Sequence, residues 1–109
     1  MQFVNLTPHE IGIRIRMSDI ILPSAGLARV SSTETQVGDV DGIPLVRTTY
    51  GEVTGLPDQA DGVIYIVSAV VLDAAKRAGR TDVVAPDSGP SAIRNDKGHI
   101  VAVRQLRGG

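Results

Sequence analysis

The side chains of this sequence that could contact a small ligand are imidazole, hydroxyl and guanidinium groups, beginning with His9 in the segment Thr7-Pro8-His9-Glu10. A histidine can act as a general base or donate a hydrogen bond, and Glu10 beside it could fix its tautomer. Catalysis would also need a nucleophile or a set of metal ligands near the base, and the pattern of polar residues predicts neither. His9 is therefore predicted to be a ligand contact and not a catalytic residue; the alternative is an ordinary surface or capping histidine.

Ser68 stands where an apolar run, Val63–Val67, gives way to a helical pattern that starts at Ala69. As an N-cap residue, Ser68 would accept an otherwise unpaired N–H of the first helical turn. The same turn presents free N–H groups and positive potential, which suit phosphate or carboxylate. The junction is predicted to be a capped helix start that becomes a binding site only if the loops carrying His9 and Ser88 converge on it.

The segment Asp87–Ser91 reads Asp-Ser-Gly-Pro-Ser, and Arg94 lies just beyond it. A glycine among hydroxyl residues can expose successive backbone N–H groups to an anion. The chain has neither the spacing nor the lysine of a P-loop, so nucleotide hydrolysis is not predicted. Ser88 and Arg94 are predicted contacts to a small anionic ligand, with a simple proline-bounded turn as the alternative.

Arg14 and Arg16 are two residues apart in an alternating segment and are therefore predicted to lie on one face of a strand. Two adjacent guanidinium groups could clamp a phosphate in a bidentate manner. A solvated strand face is the simpler interpretation. Together, the predicted ligand contacts are His9, Arg14, Arg16, Ser68, Ser88 and Arg94.

The elements that must position these residues are mostly strands. Apolar and polar residues alternate over Ile11–Arg16, and a turn leads to Ile20–Leu22, which together predict a hairpin. Further strands are predicted over 27–33, 43–50, 63–67 and 81–86, with a turn at 38–42 and a second hairpin formed by 92–94 and 99–104. The run Val63–Val67 lacks polar alternation, so it is predicted to be a central strand covered on both faces.

One main helix is predicted over about residues 69–78, with Val71, Ala74, Ala75 and Ala78 on its buried face. Gly79 suits the position after the helix, and basic residues near that end favour the helix dipole. The short links between strands favour antiparallel pairing. We expect a single α+β domain over residues 1–109, built as a mostly antiparallel small sheet or a partly open barrel.

Composition narrows the classes of function. The chain has no cysteine, which excludes disulfides, thiolate metal sites and cysteine nucleophiles, and no metal or other cofactor is predicted. A net charge of −1 and an aromatic content of 3% disfavour binding to nucleic-acid polymers. The N-terminus lacks a secretory pattern and no apolar run could span a bilayer, so a cytoplasmic protein without membrane contact is expected.

The C-terminus, Leu106-Arg107-Gly108-Gly109, is the tail that ubiquitin-like modifiers present for activation. In those modifiers the main helix follows the first hairpin directly, whereas here the predicted helix starts after Ser68. A ubiquitin-like modifier is therefore a minor alternative.

The chain resembles a known set of proteins in five stretches that occur in the same order along the sequence: Asn5–His9, Gly51–Pro57, Tyr65–Ser68, Asp82–Pro86 and Gly98–Arg104. In these stretches it resembles small, functionally uncharacterised proteins of phages, prophages and actinobacterial genomes. The resemblance implies a non-enzymatic binding protein. One such class is the phage anti-defence sponge, which sequesters a nucleotide-derived immune signal in the host cytoplasm. A homo-oligomer with ligand pockets between protomers would suit a chain too small for a large pocket of its own. The alternative is a protein–protein interaction module or structural accessory protein.

Overall fold

Over residues 1–108, the part of the chain that it describes, the computed structural model contains one helix and ten strands. In chain order they are β1 (Gln2–Asn5), β2 (Ile11–Ile15), β3 (Ser18–Leu22), β4 (Arg29–Val40), β5 (Ile43–Thr54), β6 (Val63–Ile66), α1 (Ala69–Arg77), β7 (Val83–Pro86), β8 (Ile93–Arg94), β9 (Ile100–Ala102) and β10 (Leu106–Gly108).

The largest sheet has four strands in the order β1-β6-β7-β10. β6 pairs in parallel with both β1 and β7, while β10 runs antiparallel to β7. The apolar run predicted to be central forms β6, and Tyr65, Ile66 and Val67 are buried. That prediction is confirmed, and the missing polar alternation has the expected cause, since both faces of this strand are covered.

Helix α1 links β6 to β7 and packs on the sheet. Val71, Leu72 and Ala75 are its buried residues and join the core with Val67 and Val83. The predicted buried face was slightly misplaced, because Leu72 is buried whereas Ala78 is exposed. The helix is therefore rotated toward Leu72 relative to the prediction.

Both predicted ends of α1 are confirmed. The Val71 N–H donates to the Ser68 hydroxyl oxygen at 3.4 Å, with Ser68 in an extended conformation. After the helix, Gly79 has a φ of 87°, the left-handed region that favours glycine. The last turn carries Lys76 and Arg77, whose charges favour the C-terminal end of the helix dipole.

Three antiparallel hairpins surround the sheet: β2–β3, β4–β5 and β8–β9. The first and third were predicted. The second is longer than predicted, because residues 38–40 belong to β4 and pair with 43–45, so the turn predicted over 38–42 is wrong. Only Asp41 and Gly42 form the turn, with φ of 52° and 83°, the backbone shape that an Asp-Gly hairpin turn requires.

The β4–β5 hairpin projects from the rest of the molecule as an arm. From Ser31 to Tyr50 every residue is exposed to solvent. The Cα radius of gyration is 16.5 Å, whereas a compact chain of this length has about 13 Å. The principal extents, 52 × 39 × 20 Å, show the same elongation.

The predicted α+β class is confirmed, with corrections to the pairing. The core sheet contains parallel pairs because β1 is brought beside β6 from far along the chain and α1 provides the crossover to β7. Among the described residues, no sheet closes into a barrel. In the same residues no helix is long and apolar enough to cross a membrane.

A candidate ligand site at the carboxyl edge of the parallel strands

The carboxyl ends of β1, β6 and β7 meet at one edge of the sheet because the three strands are parallel. The loops that follow them carry His9, Ser68 and Ser88. In open sheets with parallel strands, ligands bind preferentially at this edge, where loops and a helix N-terminus come together. The structure therefore brings three of the six predicted contacts to the same edge.

The loop after β1 is organised by Asn5, which is only 1% exposed. Its amide group donates to the carbonyl oxygens of His9 and Leu22, each at 2.9 Å. Its Oδ1 accepts from the N–H of Thr7 at 3.0 Å and from the Thr7 hydroxyl at 2.6 Å. These bonds hold the backbone of His9 in place, while the His9 residue itself is exposed.

Asn5 was not predicted to take part in this edge. The pair Asn5-x-Thr7 carried a usable signal, since an asparagine side chain commonly bonds the backbone N–H two residues later. The reach of Asn5 to Leu22, however, depends on tertiary structure and has no local signature.

The loop after β7 is held by Asp87. Its carboxylate accepts from the side-chain amide of Gln105 and from the Gly89 N–H at 2.9 Å. These hydrogen bonds, with a smaller contribution from the Arg107 charge, lower the pKa of Asp87 below its usual range. The loop is thus a defined turn, as its composition predicted.

Arg94 braces the same loop. Its guanidinium group donates to the carbonyl oxygen of Gly98 at 2.9 Å and to that of Ser88 at 3.2 Å. The structure therefore places Arg94 beside Ser88, as a support for the loop's backbone.

A cleft of 660 Å³ lies between this loop and α1. The helix contributes four residues to it, beginning with the first helical residue, and the loop and β10 line the other side. The charged lining residues are two acids, Asp73 and Asp87, and two bases, Lys76 and Arg107. Neither base was among the predicted contacts, because Lys76 was considered only as a basic residue near the end of the helix and Arg107 only as part of a terminal tail.

A smaller groove, of 150 Å³, is lined by Glu10 from the β1 loop and by Ser88 from the β7 loop. The two loops therefore face each other across it. His9, next to Glu10, lies at this end of the edge, and Ser68 lies at the end where α1 begins. The β1 and β7 loops therefore converge on each other, whereas Ser68 lines neither the groove nor the cleft.

The other two predicted contacts lie elsewhere. Arg14, in β2, is paired with Asp19 through two contacts of 2.7 and 3.1 Å, which lower the pKa of Asp19. Arg16 lies beyond the end of β2 in the turn, with a φ of 58°. The prediction that Arg14 and Arg16 share a strand face is wrong, because the strand ends at Ile15 and the chain reverses.

The C-terminal segment is also not a free tail. Leu106, Arg107 and Gly108 form β10 and pair with Pro86, Ala85 and Val84 of β7. A free Leu-Arg-Gly-Gly tail is therefore not present over these three residues, because their backbone pairs in the sheet, although Arg107 and Gly108 stay exposed at the surface. Gly109, the last residue of that motif, lies outside the described residues.

Among residues 1–108, no group of three or more histidine, aspartate or glutamate side chains is placed to hold a metal ion. Comparison of the chain with protein-family models, curated proteins and solved structures found no match. The resemblance to phage-borne proteins stays a prediction from the sequence.

Proposed function

We propose that this protein is a non-enzymatic binding protein that captures a small anionic, nucleotide-like ligand at the carboxyl edge of β1, β6 and β7. The observation that carries the proposal is that the loops bearing His9, Ser68 and Ser88 follow parallel strands at one edge of the sheet. At this edge Ser88, Lys76 and Arg107 line one cleft.

The phosphate group of such a ligand would lie between α1 and the β7 loop. The first N–H groups of α1 are unpaired within the helix and carry positive potential. Lys76 and Arg107 supply full positive charges from the two sides of the cleft. Arginine binds a phosphate through paired N–H groups, and lysine binds it as a compact charge.

The remainder of the ligand would extend toward the β1 loop. His9 and Ser88 provide exposed hydrogen-bonding side chains, and their backbones are held by Asn5 and Arg94. Because hydrogen bonds already hold the backbone beneath these exposed side chains, binding costs less conformational entropy. Asp73 and Asp87 would favour ligands that carry hydroxyl or amino donors in addition to phosphate, which is the chemistry of a nucleotide.

Capture without turnover is the activity of a sponge. In this proposal the protein is phage-encoded and acts in the host cytoplasm, where it lowers the free concentration of a nucleotide-derived immune signal. The support is the resemblance of the sequence to small phage-borne proteins, together with the absence of a predicted catalytic set. This context is analogy and adds no contact to the site.

The test is a thermal-shift panel of cyclic dinucleotides, cyclic oligonucleotides and ADP-ribose isomers. A ligand at 100 times its Kd adds about 2.7 kcal/mol to the free energy of unfolding. We expect at least one compound to raise Tm in the native protein and to lose that effect in the Lys76→Ala, Arg107→Ala double variant. The matched control is Arg47→Ala with Lys97→Ala, which removes two exposed positive charges outside the cleft.

Native mass spectrometry of protein recovered from infected cells would complete the test. We expect a retained ligand that is released with unchanged mass when the protein is denatured. An unchanged Tm across the whole panel, or equal loss in the cleft and control variants, would refute this site. Release of a converted product would refute the non-enzymatic part of the proposal.

A further inference from the structure

The β4–β5 arm exposes apolar side chains that the rest of the chain does not cover. Six of its large apolar residues are between 46% and 65% exposed: Val37, Val40, Ile43, Leu45, Val46 and Tyr50. A two-stranded hairpin alone is marginally stable in water, and three or more strands or a packed helix are normally needed. Between Ser31 and Tyr50, where every residue is exposed, the arm therefore lacks the packing that such a hairpin usually has.

The strand register places several of these exposed apolar side chains together on one face, near the turn at the tip of the arm. Val40 pairs with Ile43 and Gly38 with Leu45, so the side chains of Val40, Ile43 and Leu45 share one face of the ribbon. Val37 lies at the register shift between Gln36 and Gly38, next to this group. We call these four apolar residues the tip cluster: Val37, Val40, Ile43 and Leu45. Asp39 and Asp41 lie at the same end of the arm and make it acidic.

A cleft of complementary character lies at the base of the same arm. It has a volume of 750 Å³ and is formed between β5 and α1. We call it the arm–helix cleft; its apolar lining residues are Tyr50, Val53, Leu56, Ala74, Ala75 and Ala78. Its charged lining residues are Glu52, Arg77 and Arg80, of which Arg80 is paired with Asp82. Arg77 therefore gives the helix side of the cleft a positive charge suited to an acidic tip.

The tip of an arm cannot fill the cleft at its own base. About nine residues separate Ile43 from Glu52 along β5, which is roughly 30 Å of extended strand. A second copy of the chain can fill it, because two arms crossing about a two-fold axis would place each tip cluster in the other chain's arm–helix cleft. Such an interface is self-complementary, as two-fold dimers require.

The area is sufficient for this occupant. The exposed fractions of the four tip-cluster residues correspond to roughly 350 Å² per chain and about 700 Å² for two chains, and the walls of the two clefts that they cover bring the buried area to about the 1,000 Å² that a specific interface needs. We propose that the protein forms a two-fold homodimer in which the tip cluster of each chain packs into the arm–helix cleft of its partner. This inference does not rest on the ligand proposal.

Cysteine cross-linking tests the geometry directly, because the natural chain has no cysteine. In the double variant Ile43→Cys, Ala78→Cys one thiol is at the tip of the arm and the other is in the arm–helix cleft at the end of α1, so the two can meet only across the dimer. We expect a covalent dimer on a non-reducing gel after mild oxidation, and far less from either single variant. Equal cross-linking in the double and single variants would overturn the proposed arrangement.

Sedimentation equilibrium tests the association itself. We expect the native protein to have twice the monomer mass at micromolar concentration, and Ile43→Glu to be monomeric. The matched control is Ile21→Glu, the same substitution at a 52% exposed isoleucine outside the arm, which should stay dimeric. A monomeric native protein at 100 µM, or equal dissociation in both variants, would overturn the proposal.

A charge reversal separates a specific contact from a folding defect. Arg77→Glu should weaken the dimer by at least tenfold in Kd, since it removes the positive charge that faces the acidic tip and places like charges together. The matched variant Arg77→Lys keeps the charge and should associate as the native protein does. Equal association of Arg77→Glu and the native protein, or equal loss in both variants with native circular dichroism spectra, would refute the pairing of tip and cleft.

Discussion

Replacing Arg80 by alanine should destabilise the protein strongly, because it leaves a buried carboxylate without its partner. The Asp82 side chain is 4% exposed, and two nitrogens of Arg80 bind its two oxygens at 2.8 Å. Arg80 also donates to the carbonyl oxygen of Pro57 at 2.8 Å, which ties the loop before β6 to the end of α1.

The expected loss follows from the burial of Asp82. Removing one partner of a buried ion pair commonly costs 3–5 kcal/mol, and the Arg80 side chain is 21% exposed, so water can reach part of the site. We therefore expect a loss of about 3 kcal/mol for Arg80→Ala at pH 7, a large share of the 5–15 kcal/mol typical of a domain. Equilibrium urea unfolding followed by circular dichroism measures it.

The pH dependence of the free energy of unfolding provides a second test of the Arg80–Asp82 pair. Hydrogen bonds from Arg80 lower the pKa of Asp82 below its usual range, against the opposing effect of burial. The stabilisation is therefore present above the unfolded-state pKa of about 3.9 and is lost as the pH falls through the lower folded-state pKa. In Arg80→Ala the charged carboxylate loses the hydrogen bonds from Arg80 while burial still disfavours it, so the difference in stability between variant and native protein should shrink below about pH 4.

Arg14→Ala is the matched control. Arg14 binds Asp19 through two similar contacts, but both side chains are 33% exposed, and exposed pairs contribute little to stability. We expect a small change at pH 7. Equal losses for Arg80→Ala and Arg14→Ala, or a loss from Arg80→Ala that does not diminish at low pH, would refute the argument from burial.

Two other substitutions probe the backbone that positions the candidate sites. Asn5→Ala should lower the free energy of unfolding by about 2–4 kcal/mol, because it removes a buried side chain and leaves partly buried backbone groups without this partner. Urea unfolding would measure the loss, and hydrogen exchange at the Thr7 N–H should become faster; unchanged exchange would contradict the prediction. Gly55→Ala should cost more than Gly62→Ala, for which about 1–2 kcal/mol is expected. Both glycines have positive φ, but only at Gly55 would a Cβ overlap the Leu27 carbonyl oxygen, so equal costs in thermal unfolding would refute the steric argument.

Where the structure departs from the sequence predictions, the causes are physical. The length of the arm was underestimated because β4 carries Ser, Thr, Glu and Gln over 31–36, and a strand exposed on both faces needs no alternation. The segment 38–42 contains two glycines and two aspartates, so its composition indicated a turn, whereas only Asp41-Gly42 has the required backbone. β1 was missed because its partner, β6, is about sixty residues away.

Only part of the candidate site could be predicted, because some of its residues follow elements with local signals and others do not. Ser68 and Ser88 follow elements with strong local signatures, and their positions were predictable from those elements. Lys76 and Arg107 were missed because a charged side chain has no local pattern that tells a cleft from a solvated face. Arg14 was assigned to a ligand, whereas the hairpin register places it opposite Asp19.

The sequence by itself determined the elements whose signals are local: the helix with its Ser68 cap and Gly79 end, the apolar strand before it, and the two short hairpins. Periodicity, capping and turn chemistry act over a few residues, so they can be predicted from the chain alone. The tertiary structure decided which strands run in parallel, that His9, Ser68 and Ser88 lie at one edge, and that the β4–β5 arm stands uncovered. These three features depend on contacts between segments that are far apart in the sequence. A local pattern does not specify which distant segments pack together, so it cannot predict them.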